Sequence, residues 1–177
     1  MKVKNWTEVN AAVPGGGMRL PAGGYVIKIQ SVNDNANQEY LEITYDIAEG
    51  EYAGHYADAE SWKHTFRRYY SDKAEAFFAQ FLQALAASNA NFDLAAWSKT
   101  GNPYELEGLI LGSIWQNEKY TNTRGEDKER LTFFAAIPAD KIRAGAFEVP
   151  ADKDIRTRVE QSASNTGSAY DAEVPFN

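Results

Sequence analysis

A mainly β domain is the fold class the sequence predicts: a small five-stranded barrel with one main helix between its third and fourth strands. Three observations predict it. Two runs with period-two alternation, Tyr25–Val32 and Tyr40–Ile47, flank a short turn rich in Asn and Asp. A third β-like segment precedes the chain's best 3.6-residue stripe, Phe77, Phe78, Phe81, Leu82 and Leu85. Two more strand-like runs, Leu106–Trp115 and Arg130–Ile137, complete the folded part.

Each element has its own justification. After Leu20-Pro21-Ala22-Gly23-Gly24, the first strand places Tyr25, Ile27 and Ile29 on one face, with Lys28 and Gln30 on the other. Residues 33–37 read as a turn. In the second strand Leu41, Ile43, Tyr45 and Ile47 face inward and Glu42, Thr44 and Asp46 outward. A turn around Gly50 and Gly54 leads to a third strand over Tyr56–Phe66. The helix begins near Ser71 and Asp72, with Asp72 and Glu75 at capping-box spacing. A short helix or loop covers Phe92–Trp97, and a charged loop spans Gln116–Glu129. On the last strand Leu131, Phe133, Ala135 and Ile137 alternate inward, and Phe134 is left outside beside Arg130. Residues 139–145 allow a turn or two of helix. From Ala151 the pattern stops, so the expected boundary separates a domain over 1–150 from a disordered tail over 151–177. Three strands, a helix and two strands is the order of an OB-like Greek-key barrel; another small β-barrel or an α+β sandwich shares the pattern.

Composition narrows the chemistry. The 177 residues are 44% hydrophobic and 24% charged, and none is cysteine. That excludes a disulfide framework, a thiolate zinc site and a Cys nucleophile. The N-terminus shows no apolar signal region, and no apolar run has membrane-spanning length. The expectation is a soluble cytoplasmic protein that does not engage membranes, with self-association left open. The net charge of −7 means that any nucleic-acid site is a local basic patch on an acidic protein.

The richest local signal is Trp62-Lys63-His64-Thr65-Phe66-Arg67-Arg68-Tyr69-Tyr70, where aromatic and basic residues interleave. Single strands need that mixture, because bases stack on aromatic faces while cations follow the phosphates. On a strand Trp62, His64 and Phe66 would share a face; core and surface roles weigh evenly for Trp62 and Phe66. A second group comprises Trp115, Lys119, Tyr120, Arg124, Arg130 and Phe134, on and around the loop between the last two strands. Lys28 adds an outward cation on the first strand. His55, Asp58, Glu60 and His64 lie close in sequence, but their spacing matches no metal motif and a surface-charge reading outweighs a metal one. No P-loop, nucleophile elbow or carboxylate dyad is present. The expectation is a non-enzyme without metal or cofactor.

The chain ends Tyr170-Asp171-Ala172-Glu173-Val174-Pro175-Phe176-Asn177 after a Ser-, Asn- and Gly-containing linker. As a tethered ligand, Phe176 can fill an apolar pocket, Pro175 limits the entropy lost on docking, and the acids pair with a basic rim. Asp171, Glu173, Val174, Pro175 and Phe176 resemble the acidic tip of bacterial and phage single-stranded DNA-binding proteins, with Ala172 and Asn177 as departures. The stretches Leu20–Tyr25, Tyr40–Ile43 and Ile47–Gly54 are similar to small phage proteins of that role. The resemblance implies an OB-fold that binds single-stranded DNA without sequence preference. It also implies a tip that recruits replication or recombination proteins. The competing expectation is a β-barrel interaction module, or an acidic inhibitor that mimics nucleic acid and binds none.

Overall fold

In the computed structural model, which describes residues 19–156, period-two alternation lays down most of one antiparallel sheet. Strand β1 (Gly23–Asn35) pairs with β2 (Tyr40–Ile47) and with β4 (Ile110–Thr121). Strand β2 pairs with β3 (Thr65–Tyr69), and β4 with β5 (Asp127–Ile137). The order is therefore β3-β2-β1-β4-β5, with the main helix α1 (Glu75–Ser88) in the β3–β4 connection. A two-residue strand, β6 (Lys153–Asp154), runs parallel to β4 where β1 has ended.

Two bulges decide which side chains enter the core. Ile29 pairs with Tyr45 and Ser31 with Thr44, so Gln30 is an extra residue and Val32 becomes the next core side chain. On β5, Ala135 pairs with Ile114 and Phe133 with Trp115, which leaves Phe134 as the extra residue. A one-residue insertion flips every later side chain. The expected inward set Leu131, Phe133, Ala135 and Ile137 therefore holds only as far as Phe133. Beyond the bulge Ala136 is buried, and Ala135 and Ile137 are only half-buried.

The third strand departs most from expectation. Instead of a strand over 56–66, successive turns at Gly50–Ala53, Tyr52–His55, Gly54–Ala57 and Tyr56–Ala59 use the backbone locally. Gly50 and Gly54 take positive φ, 86° and 73°, which sustains this winding. A 3-10 turn over Ser61–His64 follows, and β3 starts only at Thr65. Buried Asp46, expected outside, accepts the backbone N–H of Ile47 and of Tyr56 and so fastens this segment to β2.

Helix α1 buries Phe81, Leu82, Ala84 and Leu85 against the sheet. A 3-10 turn over Asp72–Ala74 precedes it, and no side-chain cap closes either start, so the Asp72–Glu75 capping box does not form. Phe77 shares the buried face by angle but stays 65% exposed in the first turn. Asn89 binds the helix end to β4 by donating to Leu85 and Ile110 carbonyls and accepting from the Ile110 N–H. Two short helices follow, α2 (Leu94–Thr100) and α3 (Ala139–Arg143). At Gly24 a Cβ would lie 2.5 Å from the Phe147 ring, so a side chain there requires that ring to shift.

The charged segment Gln116–Glu129, expected as a loop, is mostly hairpin. Only Asn122–Glu126 turns, with the Asn122 side chain accepting the N–H groups of Arg124 and Glu126. Residues 151–156 lie beyond the boundary placed at 150, yet they run along β4. Gln116 donates to the Ala151 carbonyl, Ile155 N–H to the Lys119 carbonyl, and Asn117 to Asp152. Backbone groups and polar side chains make these contacts, so hydrophobic periodicity carried no trace of them. Among the described residues no helix is long and apolar enough to cross a membrane.

The Glu118 carboxylate anchors this strap. It is buried beneath Arg130 and lies 3.3 Å from the Lys153 ammonium. Burial alone would raise its pKa, but hydrogen bonds and charge from Arg130 and Lys153 outweigh that and hold it below 4.5. A lowered folded-state value contributes stability above the unfolded value of about 4.3, and that stability is lost as pH falls through the folded value. Glu118→Gln is expected to be less stable at pH 7 and to show a shallower loss of stability on acidification below about pH 4.5. Urea melts of both proteins across that range test it; parallel curves would count against the ion triad.

Candidate nucleic-acid interface

The outer face of β2 and β3 collects the exposed aromatic and basic groups. Strand alternation places Tyr40, Glu42 and Thr44 of β2 opposite Tyr69, Arg67 and Thr65 of β3. The Tyr69 ring is 46% exposed and meets Tyr40 edge-on at 5.3 Å. The Arg67 guanidinium lies 4.5 Å from the Tyr40 ring centre and 3.5 Å from Glu42. Just before β3, Trp62 is 70% exposed, with its indole N–H donated to Glu60 at 2.7 Å. Lys63 sits 5.1 Å from the Trp62 ring and 3.7 Å from Glu60. Trp62 with Lys63 in the 3-10 turn and Arg67 with Tyr69 on β3 thus make a ridge of two exposed aromatic and cationic pairs.

Several expected contact residues lie elsewhere. His64 is buried, with Nδ1 against the Tyr45 carbonyl and its ring stacked on Tyr56 at 5.1 Å. Phe66 and Trp115 belong to the core, and the Trp115 indole donates to Ser113. These three offer no open face to a base: His64 because the strand begins after it, and the other two because their faces of β3 and β4 point inward. Arg68 faces inward as well. Its guanidinium lies 5.0 Å from the Phe133 ring, one Nη donates to the Phe77 carbonyl, and Nε is buried without a partner. Burial lowers its pKa from the ordinary arginine value. Arg67 and Arg68, adjacent in sequence, therefore occupy different environments. Tyr70 lies past the end of β3 and donates to Asp34 at 2.8 Å.

The hairpin residues form a separate group. Lys119 is paired with Asp152 at 3.4 Å. Arg130 is paired with Glu118 and lies 4.6 Å from the Tyr120 ring centre. Arg124 occupies the exposed turn. Phe134 is 53% exposed, on the outer side that alternation assigns to it. Lys28 is exposed on β1, opposite Asp46. The cations of this arm are largely matched by acids, so charge there favours the fold more than a polyanion.

Tyr40 is the contact-face residue that sequence reading passed over. Its place in the same alternation as Glu42 and Thr44 was the available signal. Its ring is buried under Arg67 and Tyr69, so it supports the ridge from beneath. Among the described residues, no group of three or more His, Cys, Asp and Glu side chains converges as a metal site. The tip residues Asp171, Glu173, Val174, Pro175 and Phe176 lie outside the described residues. No protein-family model matches the chain, and no curated protein matches it.

Proposed function

We propose that this chain is a non-enzymatic, sequence-tolerant single-stranded DNA-binding protein of the phage type, acting in replication or recombination. The five main strands then form an OB barrel whose outer β2–β3 face holds the strand. The acidic C-terminal tip recruits the proteins that work on that DNA. The ridge of Trp62, Lys63, Arg67 and Tyr69 carries the reading, because it offers exposed stacking faces each beside a cation. The strand order supports the barrel: β3-β2-β1-β4-β5 with α1 between β3 and β4 is the OB arrangement. Phe66 of β3 and Phe133 of β5 also stack at 4.5 Å, which draws the two ends of the sheet together.

Both ridge cations sit beside carboxylates, Lys63 beside Glu60 and Arg67 beside Glu42. Exposed pairs of this kind are worth about 0–1 kcal/mol, so phosphate can displace the acid at little cost. The affinity is then modest and salt-sensitive. Titration of fluorescent oligo-dT at two salt concentrations, with duplex as competitor, tests the reading. Binding that salt weakens and duplex does not compete away supports it. Absence of binding at low salt would overturn it and favour the acidic mimic that the net charge of −7 suggests. Arg67→Ala is expected to flatten the log–log salt slope by about 0.7, the value for one phosphate contact on a single strand. Arg68→Met should leave that slope unchanged, because Arg68 faces inward. Equal changes in the two variants would place the phosphate path elsewhere.

A further inference from the structure

The β1–β2 turn end of the sheet holds a pocket that the ridge does not use. Tyr69 and Tyr70 are consecutive, but Tyr69 stands on the outer face while Tyr70 turns past the strand end toward β1. There Tyr70, Leu41, Phe78, Trp97 and Pro103 surround a cavity of about 420 Å³ with the Asp34 carboxylate at its edge. This volume falls within the range of about 300–1,000 Å³ for small-molecule sites, and aromatic walls with few polar groups are their usual lining. Asp34 Oδ1 accepts the Tyr70 hydroxyl at 2.8 Å. Burial and this bond push the Tyr70 pKa up to about 12, so the hydroxyl keeps its proton at neutral pH. The Trp97 indole donates to the Asn102 carbonyl at 2.8 Å, which fixes the ring in the wall.

We infer that this pocket takes one nucleobase of a bound strand and prefers guanine. The inference rests on the single-strand reading, since the base it takes belongs to a strand already held at the ridge. An ionised carboxylate only accepts hydrogen bonds, and its two oxygens leave room for donors beside Tyr70. Guanine alone among the DNA bases presents two adjacent donors, the ring N1–H and the 2-amino group, on one edge. Thymine presents one N–H between two carbonyls, which a carboxylate repels. Adenine and cytosine present an amino group beside an unprotonated ring nitrogen. The aromatic walls accept any base, so the carboxylate adds a preference at one position to otherwise tolerant binding.

The test follows the Trp97 indole N–H by NMR in the full chain, with the resonance assigned through Trp97→Phe. Titration with dGMP is expected to shift it saturably. dIMP, which lacks the 2-amino group, should bind about three- to tenfold more weakly, the usual effect of one hydrogen bond. dTMP carries the same phosphate and should bind more weakly still. Asp34→Asn should remove the preference for dGMP over dIMP. Equal responses to the three nucleotides, no response of Trp97, or a preference that survives in Asp34→Asn would overturn the proposal. Oligo-dT affinity is the independent arm. If oligo-dT binds and the nucleotide preference is missing, the pocket proposal fails while the ridge stands. If oligo-dT does not bind but the dGMP preference holds, the single-strand reading fails and the pocket stands as a nucleotide site.

Discussion

Changing Trp62 and Tyr69 together to alanine is expected to weaken oligo-dT binding about thirtyfold or more. Stacking on an exposed aromatic contributes about 1–3 kcal/mol per base, so the pair supplies at least about 2 kcal/mol. The side chains sit on different elements, one in the 3-10 turn and one on β3, so their losses should add. Stability should fall only modestly, because Trp62 is 70% and Tyr69 46% exposed. The contacts they forfeit are surface ones, an indole bond to Glu60, the Lys63 cation on the Trp62 ring and an edge contact with Tyr40, together about 1–3 kcal/mol. Fluorescence anisotropy with oligo-dT, beside a thermal melt, separates the two effects. Unchanged affinity in a folded double variant would remove the ridge as the binding surface. A loss confined to low salt would instead show that Lys63 and Arg67 carry most of the affinity and the rings serve to position them.

Sequence alternation exposed β1, β2 and the helix stripe because each has one wet and one dry face, and that asymmetry is what a period can record. The same reasoning failed where a residue's partner is polar. Asp46 reads as an outward residue, yet it is buried because two backbone N–H groups need it. The hairpin arm reads as a loop because both of its faces carry charge. Lys119 with Asp152 and Arg130 with Glu118 are pairings across the sheet that no period reports. The ridge was half visible. Interleaved rings and cations drew attention to 62–70, but a strand start placed too early put His64 and Phe66 on the same face as Trp62. The 3-10 turn separates them and exposes Trp62 alone. Arg68 shows the remaining gap, since adjacent arginines on a strand point to opposite sides and composition cannot say which one is wet.

Neighbouring phenylalanines on β5 should respond very differently to truncation, because one is turned inward and the other outward. Phe133 stacks on Phe66 with an interplanar angle of 4° and meets Trp115 edge-on at 5.3 Å. It also carries the Arg68 guanidinium at 5.0 Å. Phe133→Ala therefore opens a cavity between β3 and β5 and takes from the half-buried Arg68 the nearer of its two rings, Phe133 and Phe81. The expected loss is about 3 kcal/mol, the lower end for a Phe-to-Ala change because Phe133 is only partly buried. In a chain of this length that lowers Tm by about 6–12 °C. Phe134, one residue on, is the extra residue of the bulge and is 53% exposed. Phe134→Ala should stay within about 0.5 kcal/mol, as surface changes usually do. Urea melts of the two variants give both numbers on one scale. Equal losses would mean that Phe134 packs inward. Phe133→Ala should also weaken oligo-dT binding although its ring makes no contact with the strand, because β3 carries Arg67 and Tyr69 and has Phe66 as its link to β5. If affinity stays unchanged while stability falls, the ridge holds its geometry through β2 alone, and the Phe66–Phe133 stack serves the fold without shaping the binding face.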